Sequence, residues 1–254
     1  MKHEADLMQD PSLRENYKTT ANLSDRISLH QRFGTNDIGW HDWVLSKLPV
    51  LEGQRVVEFG CGRGDLWHAY PDTFDLLLTD RSTAMLDAAR QRLGSAQRVS
   101  FRTVDMDAID LEGDSADVVI ANHCLYHTAD PVKTLGAIRI VLREGGCAVF
   151  ATNGRRHMAE MDALLGERTA RVDARFGLET GFELTRKVFA DVETVRFPDS
   201  LHVTDVGPLM DYIRSVPGSY SEATLARVRA HVEDEIARFG AFFVGKDAGL
   251  ILAC

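Results

Sequence analysis

Between residues 55 and 152 the chain alternates between two hydrophobic periods. Short aliphatic and β-branched runs give way to stretches whose apolar positions recur every three or four residues. The runs predict strands at 55–59, 75–79, 99–104, 118–121 and 147–152. The longer periods predict helices at about 64–70, 83–93 and 131–142. Met85, Leu86, Ala89 and Leu93 form the buried stripe of the second helix, with Ser82 as N-cap and Gly94 just past its end. Pro131 takes a favoured first-turn position in the third. Strands and helices alternating in this way predict an α/β fold with a doubly wound parallel sheet. Right-handed crossovers then bring every strand's C-terminal end to one rim. Glu58, Asp80, Asp105, Asn122 and Asn153 converge there from five places in the chain.

The flanks follow other patterns. Residues 17–50 predict two helices, one with Leu23, Ile27, His30 and Phe33 on a face, the other with Trp40, Val44 and Leu48, Trp43 beside them. An aromatic segment ahead of a nucleotide-binding domain suits a lid, here residues 1–50, with Tyr17, Arg26, His30 and Phe33 as its candidate ligand contacts. A plain packing pair of helices is the competing reading. After residue 153, helices are expected at 156–166 and 179–187 and strands at 192–197 and 249–253. The intervening stretch, about 198–240, holds Pro198, Pro208, Pro217 and one clear helix with Leu225, Val228, Val232, Ile236 and Phe239 on a face. Ser219 and Glu222 read as its capping box. This stretch reads as a cap inserted into a domain spanning 51–254.

The chemistry centres on Glu58-Phe59-Gly60-Cys61-Gly62-Arg63-Gly64, between the first strand and its helix. Glycine admits positive φ and leaves no Cβ in a ligand's path, and a strand-to-helix loop of this kind suits a nucleotide-like ligand. Asp80, at the tip of the next strand, is placed to accept hydrogen bonds from ribose hydroxyls. Asp65 opens the following helix, where it either favours the helix dipole or reaches a ligand's ammonium group.

Composition narrows the partners. The 254 residues are 44% hydrophobic and carry a formal net charge of −9, which disfavours nucleic acid and anionic membrane surfaces. The N-terminal residues lack the basic and apolar regions of a signal peptide, and no apolar run reaches the length of a bilayer span. A cytoplasmic location is expected. Cys61, Cys124, Cys147 and Cys254 match no zinc or redox spacing and read as small buried hydrophobes in a reducing compartment. No metal site is expected: His123 and His127 have a four-residue spacing but fall in a loop.

Residues 50–154 and the last two strands resemble the class I S-adenosylmethionine-dependent methyltransferases. Glu58-x-Gly60-x-Gly62-x-Gly64 looks like that family's first motif, Asp80 stands where the ribose-binding acid is expected, and Asp105-Met106 is similar to the pair beside the adenine. Asn122 takes the fourth-motif position. Leu142-Arg143-Glu144-Gly145-Gly146 resembles a common family turn, with Glu144 where proline is usual. Asn122–His127, Thr152–His157 and the segments Ala21–Arg26, Phe33–Asn36 and Gly39-Trp40 are similar to the small-molecule branch known as type 11 methyltransferase domains. The resemblance implies a seven-stranded Rossmann-like sheet of order 3-2-1-4-5-7-6 with strand 7 antiparallel. It implies S-adenosylmethionine as donor, held by Glu58, Gly60, Cys61, Gly62, Gly64, Asp80, Arg81, Met85, Asp105, Met106, Asn122 and His123, with Tyr17 and Arg26 from the lid. A small-molecule acceptor would meet Phe33, Tyr126, His127 and His157, in a monomer or a homodimer.

Methyl transfer from a sulfonium needs alignment above all, and a base only where the nucleophile must lose a proton. His127 and His123 are the candidate bases. A histidine that only shapes the pocket is the alternative for both, and more so for His157. Asn122 is followed by His123-Cys124-Leu125 rather than a Pro-Pro-aromatic run, which argues against nucleobase or glutamine-amide nitrogen. The expected reaction is methyl transfer to oxygen or nitrogen of a small molecule. An adenosyl-binding protein with another role is the alternative. An NAD-dependent dehydrogenase fits less well, since its loop spaces glycines as Gly-x-Gly-x-x-Gly.

Overall fold

The computed structural model describes residues 28–166, 175–215 and 220–254. Tyr17, Arg26 and the Ser219 end of the expected capping box lie outside them. The described strands are β1 (Arg55–Phe59), β2 (Asp75–Asp80), β3 (Val99–Thr103), β4 (Ala116–Asn122), β5 (Leu142–Asn153), β6 (Val192–Arg196), β7 (Asp199–Val203), β8 (Phe242–Lys246) and β9 (Ala248–Ala253). The helices are α1 (Trp40–Lys47), α2 (Thr83–Leu93), α3 (Pro131–Val141), α4 (Ala159–Leu165), α5 (Leu178–Thr185), α6 (Val206–Ser215) and α7 (Glu222–Phe239). They fall into two compact units.

The larger unit comprises Ile38–Arg155, Arg171–Phe197 and Asp247–Cys254. Its sheet has seven strands in the order β3-β2-β1-β4-β5-β9-β6, with β9 antiparallel to both neighbours. This is the expected order, with β9 in the place of strand 7. Alternate residues serve opposite faces: Val57, Phe59, Val119 and Phe150 join one apolar cluster, and Val56, Leu76, Leu78 and Ile120 the other. Both faces are covered, so the central strands read as continuous hydrophobic runs. Trp43 and Val44 of α1 are buried in the second cluster beside Leu66 and Trp67. The second expected lid helix therefore lies in this unit, which begins at Ile38. The helix expected at 64–70 is a single 3-10 turn, Asp65–Trp67. Pro71 follows Tyr70 and disfavours helical backbone there.

The smaller unit comprises Pro198–Lys246 with described parts of Met1–Asp37 and Arg156–Ala170. Its two-stranded sheet pairs β7 with β8. Leu29, Phe33, Met161, Leu209, Val228 and Phe242 fill its core. Asp199 ties it together, accepting from the Thr35 and Asn36 amides at 2.8 and 3.0 Å and pairing with Lys246. Burial alone would raise the Asp199 carboxyl; Lys246 and these amides hold it below the usual range. The N-cap of α7 is Ser221, whose Oγ accepts from the Thr224 amide at 3.1 Å.

One cysteine pair departs from expectation. Cys147 and Cys254 form a disulfide, whereas Cys61 and Cys124 are free and buried. The β5–β9 register sets Ala148 opposite Ala253, so the next residue outward on each strand faces its counterpart. The bond joins residues 107 apart. A loop of that order is worth up to about 4.7 kcal/mol in the chain-entropy account. Reduction, or Cys254→Ser, is therefore expected to lower the melting temperature by up to roughly 10–20 °C. Equal melting of oxidised and reduced protein would show that the bond does not constrain the fold.

Candidate active site

The candidate donor site belongs to the larger unit, at the C-terminal tips of β1, β2 and β4. Its three loop glycines all have positive φ, and they serve different ends. A Cβ on Gly60 would come within 2.7 Å of Cys124 Cβ; on Gly64 it would press Leu93 and Ala89 of α2. These two glycines serve packing. Around Gly62, at φ +55°, nothing lies within 4 Å of where a Cβ would stand. That is the open side of the cradle.

Asp80 holds the cradle in shape. One carboxylate oxygen accepts from the Gly62 amide at 3.0 Å and the other from the Ser82 amide at 2.8 Å. Each oxygen retains acceptor capacity for further donors. Ser82 caps α2 by accepting from the Met85 amide, and Met85 is buried. Asp105 caps the short turn at Met106–Ala108, accepting from the Asp107 amide at 3.0 Å. The Met106 sulfur lies 3.9 Å from Cys124 Sγ, which itself donates to the Phe59 carbonyl. Asp65 accepts from Arg63 and forms an ion pair with Arg92 at 2.6 Å. It therefore bridges the loop to α2, an arrangement neither of its sequence readings foresaw.

Glu58 is buried behind the loop, and its Oε2 accepts from the Trp67 indole N–H at 2.6 Å. Burial pushes its carboxyl up to about 8, against the opposing pull of that hydrogen bond. Trp67, which sequence reasoning passed over, is thus the partner of the motif's acid. The nine-residue step from strand end to indole was its only signal.

His127 leaves the short turn after β4 with its ring 4.5 Å from that of Tyr126. Burial, aided by the charge of Arg81, lowers it to about 4. The imidazole is therefore neutral near pH 7 and a weaker base than an unperturbed one. His123 has φ +53°, a strained backbone for a residue with a Cβ. Its ring lies 5.2 Å from that of Trp40.

The other expected acceptor residues sit in the smaller unit. Phe33 is a core residue there, 5% exposed, with the Arg32 guanidinium over its ring. His157 lies 6.3 Å from His30, ring to ring. Among the described residues, no three histidine, cysteine or acidic side chains gather as a metal site would require. None of the described helices is long and apolar enough to cross a membrane.

The two shifted groups pull stability in opposite directions. Glu58 ionises near 4.5 when unfolded and about 8 when folded. Its contribution is complete below the lower value and is lost as pH rises to the upper one. His127 does the reverse: between about 4 and 6.5 the unfolded chain binds the proton that the folded chain has shed, so stability rises with pH. From pH 6.5 to 8 the Glu58 slope stands alone. Relative to Glu58→Gln, the native protein should lose about 2 kcal/mol across that interval. Urea titrations at the two pH values check this, and parallel slopes would place the Glu58 carboxyl near its ordinary range.

Comparison with known proteins fits this geometry. Residues 57–148 match the family model of a methyltransferase domain. Over that stretch the chain is similar to methyltransferase domains. Over 121 residues it is 30% identical to a malonyl-[acyl-carrier protein] O-methyltransferase of Paenibacillus, covering 44% of each chain. Over 128 residues it is 28% identical to a ubiquinone biosynthesis O-methyltransferase of Bordetella avium, covering 49% of this chain and 53% of that one. The chain spans about half the length of these relatives. The YcgJ protein of Bacillus subtilis shares the fold, with a TM-score of 0.58 at 12% identity over 84% of this chain and 96% of its own.

Proposed function

We propose that this chain transfers the methyl group of S-adenosylmethionine to an oxygen or nitrogen of a small molecule. The observation that carries the reading is the pairing of Asp80 with the Gly62 amide beside an open loop position. A carboxylate already fixed by two backbone amides can accept ribose hydroxyls on its remaining lone pairs without reorganising. Asp105 accepts the adenine amine and Met106 packs against the ring. The donor supplies an activated methyl on a positively charged sulfur.

The protein's part is alignment and proton handling. The cradle would hold the donor and the turn after β4 would position the acceptor; as the acceptor's lone pair bonds to the methyl carbon, the carbon–sulfur bond would break to leave neutral S-adenosylhomocysteine, and His127, neutral at working pH, would take the acceptor's proton. The similarity to two O-methyltransferases supports oxygen as the receiving atom. The acidic net charge supports a small acceptor over a nucleic acid.

Calorimetry with S-adenosylmethionine, S-adenosylhomocysteine and NAD tests the donor. Micromolar binding of both adenosyl ligands without NAD binding is expected. Tight binding of NAD alone would sink the proposal.

A further inference from the structure

Two buried polar atoms near the tip of β4 lack any hydrogen-bond partner: the Trp40 indole Nε1 and the Asn122 side-chain Oδ1. One is a donor only and the other an acceptor only. An unmade hydrogen bond at a buried atom is a standing cost, and native proteins retain few. These two are linked through His123. Asn122 precedes it in the chain, and the Trp40 ring packs against its ring at 5.2 Å. His123 is itself strained, with φ +53°. Two unmet atoms and a strained residue thus lie on adjoining parts of the chain at the tip of β4, a concentration typical of ligand sites.

Trp40 is firmly placed. It opens α1, which packs on the Asp65–Trp67 turn that ends the glycine loop. Phe197 meets its ring edge-on at 5.4 Å and Trp43 lies at the same centroid distance. The indole is therefore held by rigid neighbours on two sides and by a strained histidine on the third. Of the three, His123 alone has a positive-φ backbone.

We propose that Trp40 and Asn122 form the acceptor's polar subsite, admitting a hydroxyl group when the His123 ring moves off the indole. This rests on the methyltransferase reading above. The chemistry selects the group. The indole N–H requires an acceptor atom and the amide oxygen requires a donor hydrogen. A hydroxyl supplies both from one oxygen. An ether satisfies only the indole, and an aryl amine satisfies the amide well and the indole poorly. The aromatic wall of Trp40, His123 and Phe197 suits a planar ring as the body that carries the hydroxyl. Asn122, expected from sequence among the donor's contacts, thereby turns its side chain to the acceptor. Trp40 becomes a specificity-determining residue.

Phenol, anisole and aniline serve as probes, titrated by calorimetry into protein saturated with S-adenosylhomocysteine. Phenol is expected to bind at least tenfold more tightly than anisole or aniline. Trp40→Phe keeps an aromatic ring against His123 and Phe197 and removes only the N–H and part of the ring. It should lower phenol affinity about tenfold, leave anisole unchanged and keep S-adenosylhomocysteine affinity within twofold. Asn122→Ala should erase the preference for phenol over anisole with donor affinity held within threefold. Equal binding of phenol and anisole by the native protein would overturn the subsite, and aniline binding as well as phenol would overturn the choice of hydroxyl. Collapse of donor affinity in Asn122→Ala would return that side chain to the donor. If S-adenosylhomocysteine fails to bind at all, the methyltransferase reading falls, and the phenol–anisole contrast, measured without it, still decides the subsite.

Discussion

Asp80→Asn is expected to weaken S-adenosylhomocysteine binding by about 100-fold or more while moving the melting temperature only a few degrees. The substitution keeps the shape of the side chain and removes its charge. One amide oxygen remains, so only one of the Gly62 and Ser82 amides keeps its partner, and that bond loses its charge assistance. The nitrogen end meets an N–H group it cannot accept from. In the proposed complex the ribose hydroxyls lose their charged acceptor as well. Hydrogen bonds to charged groups are worth roughly 1.5–3 kcal/mol each, so losing two ribose bonds alone accounts for a change of that size. Stability suffers less, because the sheet beneath, from Val56 to Ile120, is buried independently of the loop. Calorimetry and a thermal melt separate the two effects. Unchanged affinity for S-adenosylhomocysteine would remove Asp80 from ribose recognition and leave it only as a loop anchor.

His127→Ala is expected to lower turnover by about 100-fold or more with donor affinity unchanged, the usual range for a positioned base. The pH profile carries the finer test. A histidine lowered to about 4 keeps its acceptor lone pair throughout the neutral range, so the acid limb of the rate should fall near pH 4. Burial is the main cause of that lowering and Arg81 the second. Arg81→Ala should therefore move the limb upward but short of the 6.5 of an unperturbed imidazole. The substrate is whichever acceptor a labelled-donor screen of metabolites returns. A limb that stays put in Arg81→Ala, or a rate indifferent to His127, would leave proton removal to solvent.

The parts of the fold that could be read from sequence are those in which local pattern and tertiary role coincide. β1, β2, β4 and the second half of β5 are buried on both faces, so their apolar runs need no partner to be recognised, and α2 carries its own cap and stripe. The smaller unit works otherwise. β7 and β8 are five residues each, and each finds its partner 39 or more positions away, so neither carries a hairpin signal. The helix at 206–215 went unread in a stretch holding three prolines; Pro208 stands in its first turn, where the missing N–H costs nothing. Within the site, the spacing of glycines and acids identified the cradle. The differing reasons for Gly60, Gly62 and Gly64 could not be read, because Cys124 and Leu93 reach them from elsewhere in the chain. Trp40 looked like one more member of a core stripe; only its unmet N–H separates it from Trp43.

The disulfide between β5 and the last residue, Cys254, has a consequence for how the chain can be cut. Residues 148–253 form a covalently closed ring, and the smaller unit's strands β7 and β8 and helices α4, α6 and α7 all lie on it. A protease that nicks one bond in that ring opens it without releasing a fragment. The two pieces remain one molecule until a reductant is added, and only then would they part on a denaturing gel.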